Sequence, residues 1–293
     1  TDDLRALEEI EQELFAPAKA SAQPFAPAIE LGEAQREEMR TTRTFRDGQD
    51  PDGGLRDFGL DLANRIAHAK RRIVFKLKLL AGFNGVKIIS EGDSWFQYPV
   101  LLKDIVDHLS DDPDKAILSF GEAGDLLDNM AARQEYLDAI VEHAPAAFLL
   151  SGGGNDLLGE GRLADILKPY TGQGGADDLF KKDAYAALMC GVQRDYVRIL
   201  DGIASVAPDL VVFGHGYDAP PIDTDGPWIG EPLARLGIPL DLGAEVITRI
   251  LDDFTAFLAR LASERPTFEF ISVRGVVGGS RNSWHDEIHP KTS

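Results

Sequence analysis

The chain is poor in cysteine, in basic side chains and in long apolar runs, and each shortage removes a class of behaviour. Cys190 is the one cysteine among 293 residues, so no internal disulfide forms and a reducing, cytoplasmic location is expected. A chain that starts at Thr1 leaves room for a leader already removed, although the first twenty residues are charged, unlike the basic-then-apolar start of a secretory signal. No segment approaches the roughly 18 consecutive apolar residues that a membrane span requires, so no span is expected. With 30 Lys and Arg against 49 Asp and Glu, the formal charge of −19 opposes the cation-driven binding of phosphate polymers, and nucleic acid is not expected as a partner. The run Gly152-Gly153-Gly154 is not followed by Lys and a hydroxyl residue, which disfavours a nucleotide phosphate loop.

What is present suits a globular chain: 44% apolar residues suffice for a sizeable core. Residues 1–52 read as an N-terminal arm. Leu4, Leu7, Ile10 and Leu14 recur at helical spacing, Ala16 to Pro27 breaks the pattern, and Ile29 to Asp52 is charged and poor in large apolar groups. The arm is expected to pack on the rest, to mediate homo-oligomer formation or to be partly mobile. Residues 53–293 read as one domain. It opens with a helix over Phe58 to Leu80 and then alternates strand and helix. Strands are predicted at Val86 to Gly92, Lys115 to Ser119, Ala147 to Ser151, Leu210 to Gly214 and Phe268 to Val273. Helices are predicted at Leu101 to Leu109, Gln134 to His143, Asp183 to Val206 and Ala244 to Ala262. Strands separated by helices need crossover connections, so the sheet is expected to be parallel with helices on both faces: an α/β fold whose site lies beyond the carboxyl ends of the strands. Two insertions, about 157–182 and 215–240, are rich in Gly, Pro and Asp and leave on that side as the expected pocket walls. Tyr170, Tyr217 and Trp228 are candidates to line it, with local packing the alternative.

Polar clusters sit at those strand ends. The first strand runs into Gly92-Asp93-Ser94, a turn that lifts a serine off the sheet edge, and Ser94 is the candidate nucleophile. A serine hydroxyl is a weak nucleophile at neutral pH and needs a base, a group to orient that base, and donors for a developing oxyanion. Asp286 and His289 lie three residues apart, which in a helical turn lets the carboxylate reach the imidazole. The second strand is followed by Gly121-Glu122-Ala123-Gly124-Asp125 and the third by Gly153-Gly154-Asn155-Asp156. His285, beside Asp286, points away by its spacing and reads as a surface histidine; His215 is either a pocket residue or a hydrogen-bonded structural one. Asp93 and Asp156 read as braces of their turns. The His, Asp and Glu around 285–289 have no strong ligand spacing, so no metal is expected. The absence of a Gly-x-Ser-x-Gly elbow removes the main rival fold for a serine hydrolase.

Together these four blocks resemble the SGNH (GDSL-like) hydrolase superfamily. Gly92-Asp93-Ser94 matches the nucleophile block, Gly124-Asp125 the glycine block, Gly153-x-Asn155-Asp156 the asparagine block, and Asp286-x-x-His289-Pro290 the terminal block, with Trp95 standing where the family has leucine. The resemblance covers about Val86 to Pro290. It implies a three-layer α/β/α sandwich with a flavodoxin-like parallel sheet, and a serine esterase or acylhydrolase that needs no metal or organic cofactor. By the same resemblance Ser94 attacks, His289 serves as base and then acid, and Asp286 orients it. The backbone N–H groups of Ser94 and Gly124 and the Asn155 amide form the oxyanion hole; Gly121 is the alternative glycine. Small-molecule, carbohydrate and lipid esters all stand as substrates. The competing reading is a catalytically silent binding or scaffold protein that keeps the fold and acts through its arm and loops.

Overall fold

The structure, a computed structural model, describes residues 51–98, 103–159 and 161–291. The calls on the arm at 1–50 lie outside these residues. The chain divides into two compact units, residues 1–80 and 81–293. In the first, helix α1 spans Pro51–Leu80, thirty residues that reach back beyond the predicted start at Phe58.

The second unit is built on a five-stranded, all-parallel sheet: β1 (Val86–Gly92), β2 (Lys115–Ser119), β3 (Ala147–Ser151), β4 (Val212–His215) and β5 (Phe268–Ile271). Its spatial order is β2-β1-β3-β4-β5, the flavodoxin-like order of a doubly wound fold. The order reverses between β1 and β3, and in such sheets the crevice at the reversal is where ligands bind. β1 is an inner strand, buried along its last five residues, and hydrogen-bonded on both edges.

Register explains the layers. Ile88 pairs with Ile117 and points to one face, where both pack with Phe96, Leu149 and Val106 of helix α2 (Ile105–Ser110). Ile89 pairs with Leu118 and with Phe148 and points to the other, where the Phe148 ring meets Tyr136 edge-on at 5.1 Å. Tyr136 opens helix α4 (Tyr136–His143), which follows α3 (Leu127–Arg133). The alternation of strand side chains thus distributes helices to both faces, giving the α/β/α sandwich. Gln134, expected as the first residue of a helix, instead adopts φ 49° and ends α3 two residues before α4 begins.

Two 25-residue helices complete the core: α8 (Lys182–Val206), packed on α3 and α4, and α10 (Leu240–Glu264), packed on β5. Tyr196 of α8 meets Phe254 and Phe257 of α10 and Phe268 of β5, all ring to ring within 6.4 Å. Gly214 in β4 is required there, because a Cβ would overlap both the Tyr196 hydroxyl and the Phe268 ring. The two insertions carry short helices that their composition does not reveal. These are α5 (Gly154–Leu158), α6 (Arg162–Ile166) and α7 (Ala176–Leu179) around the first, and α9 (Gly230–Arg235) in the second.

Asp156 of α5 braces more than its own turn. Its Oδ2 accepts the Leu127 N–H at 3.2 Å, serving the start of α3, where Leu126 provides no side-chain cap. Burial raises its carboxyl to about 6, against the opposing effect of that hydrogen bond. The folded protein therefore binds this proton more tightly than the unfolded chain, and stability falls as the pH rises from about 4 to about 6. Asp156→Asn keeps an acceptor for Leu127 and carries no charge. It is expected to stabilise the fold at pH 8 by about 1–3 kcal/mol, read as a higher urea midpoint, with the gain vanishing toward pH 4.

Candidate active site

The turn after β1 is tied down at several points. The Asp93 N–H donates to Ser151 O at 3.0 Å, continuing the β1–β3 pairing, and the Phe96 and Gln97 N–H groups both return to Asp93 O at 3.0 Å. The Asp93 carboxylate is almost wholly buried. Oδ1 accepts from Trp95 N–H at 3.1 Å and from Ser151 Oγ–H at 2.7 Å, and Oδ2 accepts from the Tyr217 hydroxyl. Asp93 thus braces the turn, as expected, and also reaches across to β3 and to the second insertion. Ser94, 8% exposed, projects from this frame.

Its Oγ lies 2.8 Å from His289 Nε2, and His289 Nδ1 lies 2.7 Å from Asp286 Oδ2 and 2.9 Å from Oδ1. Three side chains, two of them 195 residues apart, form one hydrogen-bonded chain. The segment that carries the last two is not the helical turn expected from their spacing. Residues 285–288 form a bend closed by a bridge between Trp284 and Pro290, with the His285 N–H donating to His289 O at 2.8 Å. Asp286 creates the bend itself: Oδ1 accepts the N–H groups of Ile288 and His289, both at 2.9 Å. Burial pushes the Asp286 carboxyl up, but the bonds from the His289 ring and from these two amides outweigh it and hold the carboxyl below its ordinary range. It is a carboxylate at neutral pH.

Three neighbours complete this corner without having been singled out for it in the sequence. The Trp95 indole N–H donates to Ile288 O at 3.2 Å, joining the serine turn to the histidine loop. Tyr98 stands edge-on to the His289 ring at 4.6 Å and its hydroxyl donates to Asp286 Oδ2 at 3.4 Å; burial, then the Asp286 charge, pushes the phenol up to about 12. Glu287, 2% exposed, receives the N–H groups of Trp228, Ile229 and Gly230, so it anchors the histidine loop to the start of α9. A carboxylate beside a catalytic-type pair would have been a fair signal for Glu287, whereas the reach of Trp95 and Tyr98 depends on tertiary placement.

The other donors lie across the serine. The Asn155 amide donates to Asp125 O at 2.8 Å, one residue beyond Gly124, and Asn155 and Ser94 border the same cavity. Gly124 is exposed with φ +85°, and borders neither of the cavities beside Ser94. Gly121 is buried, its N–H donates to Ser119 Oγ at 3.4 Å, and a Cβ on it would press on Gly92 O at 3.0 Å. It packs closely against the end of β1. Of the aromatic candidates, Tyr217 lines the cavity and Trp228 stands edge-on to His289 at 5.9 Å, while Tyr170 borders no cavity beside Ser94. His215 is buried among Trp95, Phe96 and Tyr217, with Nδ1 2.6 Å from Gly216 O, and burial holds its imidazole below the ordinary range. It is a structural histidine. His285 is exposed, as expected. Among the described residues, no three His, Cys, Asp or Glu side chains group to hold a metal ion, and no helix is long and apolar enough to cross a membrane.

Glu287→Ala leaves three amides of the second insertion without their acceptor. It is expected to lower stability by about 2–4 kcal/mol and to weaken any hydrolytic activity, with Glu287→Gln intermediate in both, as read by urea unfolding and ester hydrolysis.

No family model and no curated protein matches this sequence. Solved structures do match by shape. The extracellular lipase of Streptomyces rimosus superposes with a TM-score of 0.50 at 16% identity, over 71% of this chain and 93% of the lipase. Phospholipase A1 of Streptomyces albidoflavus gives 0.49 at 13% identity, over 71% of this chain and 93% of that one. A putative platelet activating factor of Streptococcus pneumonia gives 0.47 at 17% identity, over 82% and 91%. At such identities the likeness is one of fold: this chain has the three-layer α/β/α fold of the Streptomyces rimosus lipase.

Proposed function

We propose that the protein is a serine esterase or acylhydrolase of the SGNH type, acting on small-molecule, carbohydrate or lipid esters. The observation that carries the reading is the continuous hydrogen-bonded line from Ser94 Oγ through the His289 ring to the Asp286 carboxylate, at 2.8 and 2.7 Å. In this mechanism His289 Nε2 accepts the Ser94 proton as Oγ attacks the ester carbonyl carbon. Asp286, ionised and bonded to Nδ1, keeps that ring nitrogen protonated, leaves Nε2 free to accept, and stabilises the imidazolium that forms. His289 then protonates the departing alcohol oxygen. A water molecule attacks the acyl-serine with the same histidine as base, releasing the acid and restoring the hydroxyl.

The negative charge on the carbonyl oxygen is held by the Ser94 and Gly124 N–H groups and the Asn155 amide. Support for this comes from the backbone: neither N–H group is engaged by another described residue, and a glycine at 124 adopts φ +85° without strain. The Asn155 amide spends one of its two hydrogens on Asp125 O, which fixes the direction of the other. Neutral donors stabilise charge as it develops without trapping an anion beforehand, and losing one typically costs about 10²–10³ in turnover.

The alternative, a silent scaffold, is less well supported because each position that acyl transfer requires is filled and the Ser94, His289, Asp286 and Asn155 side chains are all hydrogen-bonded. We further propose residues 1–52 as an arm distinct in role from the hydrolase domain at 53–293. A fluorophosphonate probe is expected to label the wild-type protein at Ser94 and to leave Ser94→Ala unlabelled; labelling that persists in the variant rejects the nucleophile, and no labelling of either favours the scaffold.

A further inference from the structure

Ser94 stands between two cavities of very different size. One, about 30 Å³, is bordered by Asn155, Leu158, Tyr217, Pro220 and Ile288. The other, about 260 Å³, is bordered by His289, Tyr98, Lys103 and a wall of Val273, Val276 and Val277. Asn155 borders only the small cavity and His289 only the large one.

Resting on the acyl-transfer reading above, this division assigns the two halves of the ester. The tetrahedral carbon carries Ser94 Oγ, the oxyanion, the alcohol oxygen and the acyl substituent. As the bond from carbon to the alcohol oxygen breaks, that oxygen takes the proton held on His289 Nε2, so the alcohol must lie on the imidazole side, in the large cavity. The oxyanion faces Asn155 at the rim of the small cavity, and the acyl substituent enters the cavity itself. With about 30 Å³ against about 260 Å³, the small cavity admits only a short acyl substituent, and the large one takes the bulkier half of the ester.

Its walls resist expansion. Leu158 is 6% exposed at the end of α5, the Tyr217 hydroxyl is held by Asp93, and Ile288 N–H is held by Asp286. Asp218, which also borders the small cavity, accepts the N–H groups of Gly275, Val277 and Gly278 at 2.8 to 3.0 Å. One carboxylate therefore ties the valine wall of the large cavity to the rim of the small one. We propose that the enzyme selects acetyl-sized acyl groups and takes esters whose alcohol is the larger and mainly apolar part.

Hexyl acetate and ethyl hexanoate are isomers that place the same six-carbon chain on opposite sides of the ester, which makes them a direct test. Wild-type kcat/KM is expected to favour hexyl acetate by at least about tenfold, since even a single misfit methylene is worth about 10–200-fold in a close-fitting pocket. Leu158→Ala, which widens only the acyl side, is expected to reduce that ratio several-fold. Failure to turn over hexyl acetate, equal or reversed preference, or a ratio unmoved in a folded Leu158→Ala overturns the inference. Fluorophosphonate labelling run alongside separates the failures: labelled Ser94 with the wrong preference removes the acyl-size claim alone, while unlabelled Ser94 removes the acyl-transfer reading with it.

Discussion

The Asp286 carboxylate is the group on which the geometry of the site turns. It receives the backbone N–H groups of Ile288 and His289 and the His289 ring nitrogen together, so one anion both folds the terminal loop and aims its imidazole. An uncharged acceptor would hold the same loop more weakly, because hydrogen bonds to an ionised oxygen are roughly twice as strong as neutral ones. The charge is kept because these bonds outweigh the burial that opposes it. Orientation of the base is thereby built into the local fold and does not wait for a ligand.

The loop would still be of no use far from the serine. Ser94 and His289 belong to opposite ends of the second unit, and the parallel sheet brings them together because all five strands deliver their carboxyl ends to the same edge. Two sets of long-range bonds then set the approach. The Trp95 indole holds Ile288 from the serine side, and Glu287 holds three amides of the second insertion from the other. Asp93 plays the matching part under the nucleophile, where it joins β1, β3 and Tyr217. Each carboxylate of the site that does not face the serine is engaged with backbone or hydroxyl donors, which is how buried charge is tolerated.

Much of the frame was legible because its signals are local. Lys115–Ser119 and Ala147–Ser151 fall where short β-branched and apolar runs end in glycine or polar clusters, and the two 25-residue helices differ from expectation only at their ends. Other features depend on partners remote in sequence. Helix α3 is seven residues long and is started by Asp156 across the sheet, so its own residues announce little. α1 runs through Gly53 and Gly54, poor helix formers that argue against its true start. Asp286 and His289 were found by a spacing that suggests a helix, yet the Asp286 side chain replaces the helical bonds with its own, giving the same proximity by another route. Trp95 and Tyr98 could be placed at the nucleophile, but not against the histidine loop, since nothing in their neighbours' sequence records contacts 193 and 188 residues away.

The central claim is that a neutral imidazole at 289 must draw the proton from Ser94 for that oxygen to react. It is tested most directly by the rate at which a fluorophosphonate phosphonylates Ser94, with loss of fluoride, between pH 5 and pH 9. The account predicts a rate that climbs with pH and then levels off, as proton abstraction by a general base requires. A rate that stays flat across the range would contradict it.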